Sequence, residues 1–553
     1  MLRTARSGEP YALFEGRQLN SSYDPRREAV RFVNEHLSGE SLSTVMLLGD
    51  TLPYVRQTLR SRNPALRVVS VFYDAVFAAM TAEEGGPDFQ SRFETAVTAT
   101  EAVGAEGLRV ELAGALREID IDGIAIVEWP PSASAFPELS ARVNTVVVDT
   151  VRELSRNLAT SVGFCRRWLH NSFVNYLSIE HLVGYPLTDL PVVIAASGPS
   201  LDETLSLLSR HRAGYFLIAL PSSLLSLLDA QIEPDVVVAT DAGYWAELNV
   251  ASLRGHGSVP VAMPLTAARG VWRSSSPVVL LSEGSFLETS ILGRDFPSQY
   301  VVSPGGTVAS TALELAERFS AGPIILAGLD LAFHDIREHA RPHPFEIYFD
   351  RSSHRLRPLY SLLAARSMEA TSSLPPNKLT SGTRSAAWPL RSSQALSDYA
   401  GWLGRRPYRF PTFRLSPAGA VIPGMVELGP DGFRGLLRKG GTERTGIGLM
   451  PLPLFRAERT KRLKTLLGQW RSRLRSARSE ARTDDGVYRI FLNPPLFELL
   501  WSLNAPACLE LHASLRAERG RSPGSDRSPS ERFADLVRST EELLEALEAR
   551  CLQ

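Results

Sequence analysis

The sequence predicts an α/β protein: a central, mostly parallel Rossmann-like sheet, a smaller α/β domain before it and a helical region after it. Two observations carry this. Short continuous apolar runs rich in Val, Ile and Leu recur along the chain, and helical patterns alternate with several of them, as in strands buried on both faces. The length of 553 residues is too great for one ordinary domain. The 44% hydrophobic and 22% charged content is that of a soluble globular protein with real cores.

The elements follow in order. Residues 43–50 (STVMLLGD) form an apolar run, a helical pattern follows, and residues 66–74 (LRVVSVFYD) form a second run ending in Asp74. Residues 123–131 (GIAIVEWPP) read as a third strand. Strand, helix, strand, acidic residue is how a Rossmann-like half begins, but its glycine fingerprint is absent, so no bound dinucleotide is expected over 1–150. A helical stretch from about 147 to 182 leads into the central domain, expected over 151–430. There the runs at 191–200, 215–220, 235–240, 260–265, 277–283 and 323–330 supply the strands of a parallel sheet. Residues 351–395, rich in Ser, Arg and Pro, read as a partly ordered excursion. Within 431–553, residues 454–480 are helical and basic, and a solvated helix or a dock for an acidic partner both fit. Residues 516–530 read as a disordered linker. Pro529-Ser530 then opens a final helix with Phe533, Leu536, Val537, Leu543, Leu544 and Leu547 on one face.

Composition removes several function classes. Lys plus Arg and Asp plus Glu both total 60, so no net field holds nucleic acid. Cys165, Cys508 and Cys551 are widely spaced and odd in number, which fits a reducing cytosol and builds neither a zinc site nor a disulfide framework. The N-terminal residues lack an apolar leader core, and no run reaches the roughly 18 apolar residues of a membrane span. A cytoplasmic protein is expected.

Chemistry is expected where strands end. The run at 191–196 passes into Ser197-Gly198-Pro199-Ser200 and then a helix, so a glycine and a helix N-terminus stand together where a phosphate could approach. Ser200 can cap that helix, bind phosphate, or do both. Ser303-Pro304-Gly305-Gly306-Thr307 repeats the arrangement before a helix at 308–320; a phosphate or ribose cradle and a plain turn with Thr307 as N-cap are both open. Asp241 and Asp330 sit just past strand ends, where ligands of open α/β sheets lie, although Asp330 could instead cap a helix. Asp235 reads as a turn residue. His334, His339 and His343 follow Asp330. Their spacing does not match the paired-histidine zinc motif and Pro342 and Pro344 break any helix, so no metal is expected; a proton-moving histidine and a solvated loop remain open.

Together the segments VVIAASGPSLDETL, IEPDVVVATDAGY, SPGGTVASTALELA and IILAGLDLAFHD resemble the motility-associated factor (Maf) family of flagellin glycosyltransferases, whose core is an MptE-like domain. SSQALSDYAGWL and LSPAGAVIPGM resemble the family's later segments; the likeness is best over 155–430. The resemblance implies a core similar to bacterial sialyltransferases and to an archaeal hydroxymethylpterin diphosphokinase. It implies transfer of pseudaminic or legionaminic acid from its CMP ester to Ser or Thr of flagellin, with no metal and no cofactor beyond that nucleotide sugar. It places Gly198, Pro199 and Ser200 on the nucleotide, with Ser197 where the related enzymes commonly carry Asn. It places Ser303, Gly305 and Gly306 on the second nucleotide loop, Asp330 in the G-x-D segment, and His339 where those enzymes often have Tyr or His. Pyrophosphoryl transfer to a pterin and a non-catalytic flagellin-binding role are the competing expectations.

Overall fold

The computed structural model describes residues 1–552 except 38–41, 64–65, 85–93, 101, 185–187, 270–275, 294–299, 303–305, 370, 376–378, 381–389, 438–447, 451, 453, 492 and 520–526. The chain divides into two compact units. One joins residues 1–166 to 467–550, and the other comprises 167–466 with 551–553. Of the region 431–553 that the sequence reading sets apart, residues 467–550 fall in the first unit and 431–466 and 551–553 in the second.

In the first unit four parallel strands lie in the order Glu94–Thr98, Arg67–Phe72, Thr44–Asp50, Ile124–Glu128. Alternation along the strands divides the core in two. Val45 and Leu47 join Phe32, Val55 and Trp129 on one face, while Met46 and Leu48 join Leu108, Leu112 and Val143 on the other. The acid that ends the central strand is already satisfied: Asp50 pairs with buried Arg56 at 2.7 Å and accepts from the Thr51 N–H. The sequence did not suggest the antiparallel sheet of Leu2–Thr4, Pro10–Phe14 and Arg17–Gln18, or the strand Glu94–Thr98. Of the linker expected at 516–530, residues 516–519 continue the helix Pro494–Arg519 and 529–530 begin the helix Pro529–Cys551; 520–526 lie outside the described residues.

The second unit holds the large sheet. Across it the strands run Val426–Leu428, Thr412–Leu415, Ile324–Ala327, Val192–Ala195, Phe216–Ala219, Val236–Val238, Val261–Met263, Val278–Ser282, Leu182–Val183, Leu449–Met450. Tyr300–Val301 also pairs with Val278–Ser282, and only Leu449–Met450 runs antiparallel to its neighbour. The strands from Ile324–Ala327 to Val261–Met263 are short and continuously apolar, as strands buried on both faces are. The helix Val308–Phe319 presents Ala309, Ala312, Leu313 and Ala316 to the same core as Val192, Ile194 and Ile324. Small residues let it press close to the sheet.

The order of the strands fixes where a ligand can sit. From Val192–Ala195 the chain adds Phe216–Ala219, Val236–Val238, Val261–Met263 and Val278–Ser282 successively on one side. It then returns through the helix Val308–Phe319 to lay Ile324–Ala327 on the other side of Val192–Ala195. The order reverses between those two strands, and their carboxyl ends open the crevice that doubly wound sheets use for ligands. Within the excursion expected at 351–395 lie the helix Leu359–Glu369 and the strand pair Thr371–Ser373 and Arg391–Ser393, while 370, 376–378 and 381–389 lie outside the described residues. No helix among the described residues is long and apolar enough to cross a membrane.

Candidate functional site

Three neighbouring strands converge on Asp330. Val192–Ala195 delivers the Ser197–Ser200 loop, Ile324–Ala327 delivers Gly328, Leu329 and Asp330, and Thr412–Leu415 delivers Pro417 to Ala420. Asp330 is 1% exposed. One carboxylate oxygen accepts from the Ser200 N–H at 2.7 Å. The other accepts from the Ser200 hydroxyl at 2.5 Å and the Ala418 N–H at 3.3 Å. Burial raises its carboxyl above the ordinary range, and the two Ser200 hydrogen bonds oppose that rise. Behind it lies Arg414, also 1% exposed, which donates to the carbonyls of Leu329 and Ala420. Burial lowers this guanidinium to about 10, and Asp330 pulls the other way.

Backbone crowding explains the glycines. A Cβ on Gly198 would stand 2.5 Å from the Gly328 carbonyl oxygen and 2.6 Å from an Asp330 carboxylate oxygen. On Gly419 it would stand 2.1 Å from the Asp330 carbonyl oxygen. Leu331, directly after Asp330, takes φ of 51°, a conformation a branched side chain adopts only under constraint.

The Ser197–Ser200 loop therefore differs from an open phosphate cradle. Gly198 N–H goes to Gly328 O at 2.6 Å, Leu201 N–H to Gly198 O, and Asp202 N–H to Pro199 O. Ser200 gives both its N–H and its hydroxyl to Asp330, so it serves the protein rather than the crevice, and Pro199 supplies shape with no N–H. The Ser197 hydroxyl, itself buried, stands 3.0 Å from His339 Nδ1. The two segments are sewn together, since Ala340 N–H donates to Ser197 O and Arg341 N–H to an Asp202 carboxylate oxygen.

His339 keeps 19% of its side chain open. Its ring stacks on His343 at 3.9 Å, and Phe345 stands edge-on to it at 5.5 Å. They line a narrow cleft of about 20 Å³ with Phe333, Leu363 and Arg366. Burial, and after it the Arg366 charge, pushes the His339 imidazole down to about 3. Burial pushes His343 down to about 2. Both rings are neutral at pH 7. His343 is 1% exposed; its Nδ1 caps the helix Pro344–Asp350 and its Nε2 has no hydrogen-bond partner among the described residues. His334 instead supports the Asp330 loop, reaching the Ala418 carbonyl. No group of three His, Cys, Asp or Glu among the described residues could hold a metal ion.

Of the second expected loop, Ser303, Pro304 and Gly305 lie outside the described residues. Gly306 takes φ of 71° with open space where a Cβ would stand. Thr307 is the N-cap of the helix Val308–Phe319, its hydroxyl accepting the Ser310 N–H at 3.1 Å. Asp241 follows Val236–Val238, two strands from Val192–Ala195 and thus roughly 10 Å along the sheet. Its side chain is open to solvent, and partial desolvation raises its carboxyl. Asp235 is the turn residue the sequence suggested, accepting from Leu217 N–H and pairing with Arg212.

Sequence reasoning missed a second buried acid and the groups around it. Glu288, 0% exposed, accepts from the Glu283 N–H and from the hydroxyls of Ser282 and Ser285. The Ser285-x-x-Glu288 capping pattern was its sequence signal. Beside it Glu283 is pushed up to about 7 by burial first, then by Glu288 and Asp241. Asn175 Nδ2 holds the carbonyls of Leu265 and Ala267, while Asn171 Nδ2 holds those of Ala242 and Thr266. Two amides four residues apart on an apolar helix face were legible as a pair aimed one way. Nothing in the sequence marked Arg414.

Residues 166–335 match the family model described as 6-hydroxymethylpterin diphosphokinase MptE-like. The match spans the Ser197–Ser200 loop and Asp330 and stops short of His339. An uncharacterized protein of Treponema pallidum (strain Nichols) is 30% identical over 270 residues, 47% of this chain and 59% of its own length. A second from the same organism is 28% identical over 230 residues, 36% of this chain and 58% of its own. The chain thus spans less than two thirds of these relatives. A solved structure of a Maf glycosyltransferase from Magnetospirillum magneticum AMB-1 is similar in fold, with a TM-score of 0.58 at 14% identity over 100% of this chain and 91% of that one. In fold the chain is similar to a Maf glycosyltransferase, and its residues 166–335 match an MptE-like domain.

Proposed function

We propose that this protein is a glycosyltransferase that moves a nonulosonic acid, pseudaminic or legionaminic, from its CMP ester to a Ser or Thr hydroxyl of flagellin in the cytoplasm. The observation that supports it best is the placement of Ser197 and His339 in hydrogen-bond contact at the switch point, on a loop held by Asp330. Fold likeness to a Maf glycosyltransferase favours sugar transfer over other uses of such a crevice.

In the proposed reaction the acceptor oxygen bonds to the anomeric carbon of the sugar as the bond from that carbon to the CMP phosphate oxygen breaks. CMP leaves as a phosphate monoester, and the acceptor proton passes to a base. The positive end of the helix Leu201–Arg210 and the Ser197 hydroxyl stabilise charge growing on the leaving phosphate. His339 is the proposed base. Alone, at about 3, it is a weak one. The negative charges of a bound donor raise an adjacent imidazole, so its basicity develops once the donor is seated. Asp330 is a positioning residue here, because Ser200 and Ala418 occupy both its oxygens.

Calorimetric titration with CMP, AMP and ATP, with and without magnesium, tests the reading. CMP binding that is independent of magnesium is expected; magnesium-dependent ATP binding without CMP binding would replace it with pyrophosphoryl transfer. His339→Ala is expected to lower transfer at least 100-fold while CMP affinity stays within threefold, and unchanged turnover would remove His339 from the chemistry.

A further inference from the structure

A cluster of large rings stands beside the site and has no place in the chemistry above. Tyr244 and Trp245 open the helix Tyr244–Val250, three residues past Asp241. Tyr348 comes from the helix Pro344–Asp350, which His343 caps. Trp245 meets Tyr348 at 5.0 Å and 85°, Phe345 at 4.6 Å and 69°, and Tyr244 at 5.4 Å and 69°. Phe345 in turn meets His339 at 5.5 Å. The outer rings are open to solvent: Tyr244 is 55% exposed, Trp245 38% and Tyr348 40%, with Ile347 beside Tyr348 at 46%. Burial of such side chains is worth about 2 kcal/mol each, so leaving four of them open at the mouth of a crevice marks a surface that something covers.

We propose that the Tyr244, Trp245 and Tyr348 surface docks the acceptor polypeptide. The inference rests on reading the crevice as a site of transfer to protein. Ring geometry selects the occupant. The three exposed rings stand at 69°, 70° and 85° to one another, so they form a ridged surface and not the one continuous flat face on which a nucleobase or sugar ring stacks best. The apolar side chains of an extended peptide fill such angles, and exposed Trp and Tyr are the residues that anchor protein interfaces. Continuity supplies the second argument. Ring-to-ring steps of 5.4, 4.6 and 5.5 Å join Tyr244 to His339, a reach of about five residues of extended chain. A peptide held on the rings thus brings a hydroxyl within about five residues of its anchor to His339, with the anchoring side chains apolar.

The test measures flagellin binding directly by surface immobilisation, without donor, for the wild type, Trp245→Ala, Tyr348→Ala and Trp245→Phe, with CMP titrated against each protein in parallel. Flagellin affinity is expected to fall at least tenfold in both Ala variants and to recover within threefold in Trp245→Phe, while CMP affinity is constant. Equal flagellin binding by all four proteins, or none by the wild type, overturns the docking surface. A loss of CMP affinity that matches the loss of flagellin affinity overturns it too, since the rings would then belong to the donor. Absence of CMP binding in every protein, with ring-dependent flagellin binding intact, leaves the docking surface standing and removes the transferase reading instead.

Discussion

Replacing Asp330 by Asn keeps the side chain's shape and exchanges one acceptor oxygen for a donor. The amide cannot face the Ser200 N–H, because two donors would meet at the present 2.7 Å. It must turn its nitrogen toward the Ser200 hydroxyl, which can rotate and accept, and the Ala418 N–H then loses its partner. One buried N–H left unpaired costs about 1–3 kcal/mol. Loss of the negative charge also leaves Arg414 buried with less compensation. A total of about 2 kcal/mol should lower the thermal midpoint by roughly 2 °C in a protein of this size. Asp330→Ala removes every acceptor and should cost about 3–5 kcal/mol. CMP affinity should fall in the same order, since the carboxylate sets the path of the Ser197–Ser200 loop. Scanning calorimetry with CMP titration checks both. An Asn variant with unchanged midpoint and CMP affinity but no sugar transfer would refute the bracing argument and return Asp330 to the chemistry.

Gly198→Ala puts a Cβ against the Gly328 carbonyl oxygen and Asp330 together, so the loop must shift; CMP affinity should fall at least tenfold with a stability loss of about 1–3 kcal/mol, and calorimetry showing neither would contradict the packing. Glu283, pushed up to about 7, favours folding most below pH 4.5 and loses that contribution as pH rises toward 7. Glu283→Gln should therefore gain stability at pH 8, by at most about 3 kcal/mol, and change little at pH 4.5. Urea unfolding at the two pH values checks this, and an equal effect at both would count against a raised carboxyl.

How far the sequence could be read depended on whether an interaction was local. The strands of the large sheet are apolar over consecutive residues, so Val192–Ala195 and Ile324–Ala327 could be found without knowing that they are neighbours. Their adjacency places Ser200 against Asp330 across 130 residues of sequence, and no period encodes it. The helix Val308–Phe319 was legible to within a residue because Thr307 caps it locally. The short strands Thr412–Leu415 and Val426–Leu428 were not, since Arg414 interrupts the first and is buried only because two carbonyls and Asp330 surround it. Polar residues at strand ends could be picked out from the sequence, but whether each faces ligand or protein is decided by partners far along the chain.

Asp330 and Glu288 show how that decision falls. Each follows a strand of the large sheet, is buried, and spends its carboxylate on backbone N–H groups and serine hydroxyls of its own or an adjoining loop. Such an acid holds strand-end loops rigid without facing the crevice. A site braced this way can present few groups of its own and still present them in fixed positions, because loop entropy is lost on folding rather than on binding. Ser197, buried in contact with His339, and the partly open His339 share this scaffold with Asp241 and Glu283, whose side chains are open or partly open. The first two stand at the switch point, while Glu283 lies four strands from Val192–Ala195, roughly 19 Å along the sheet. That separation exceeds any direct proton transfer to a donor seated at Ser197. Charge at Asp241 and Glu283 is thus placed to act on whatever extends along the crevice from the proposed reacting centre, where the proposed chemistry rests on Ser197 and His339.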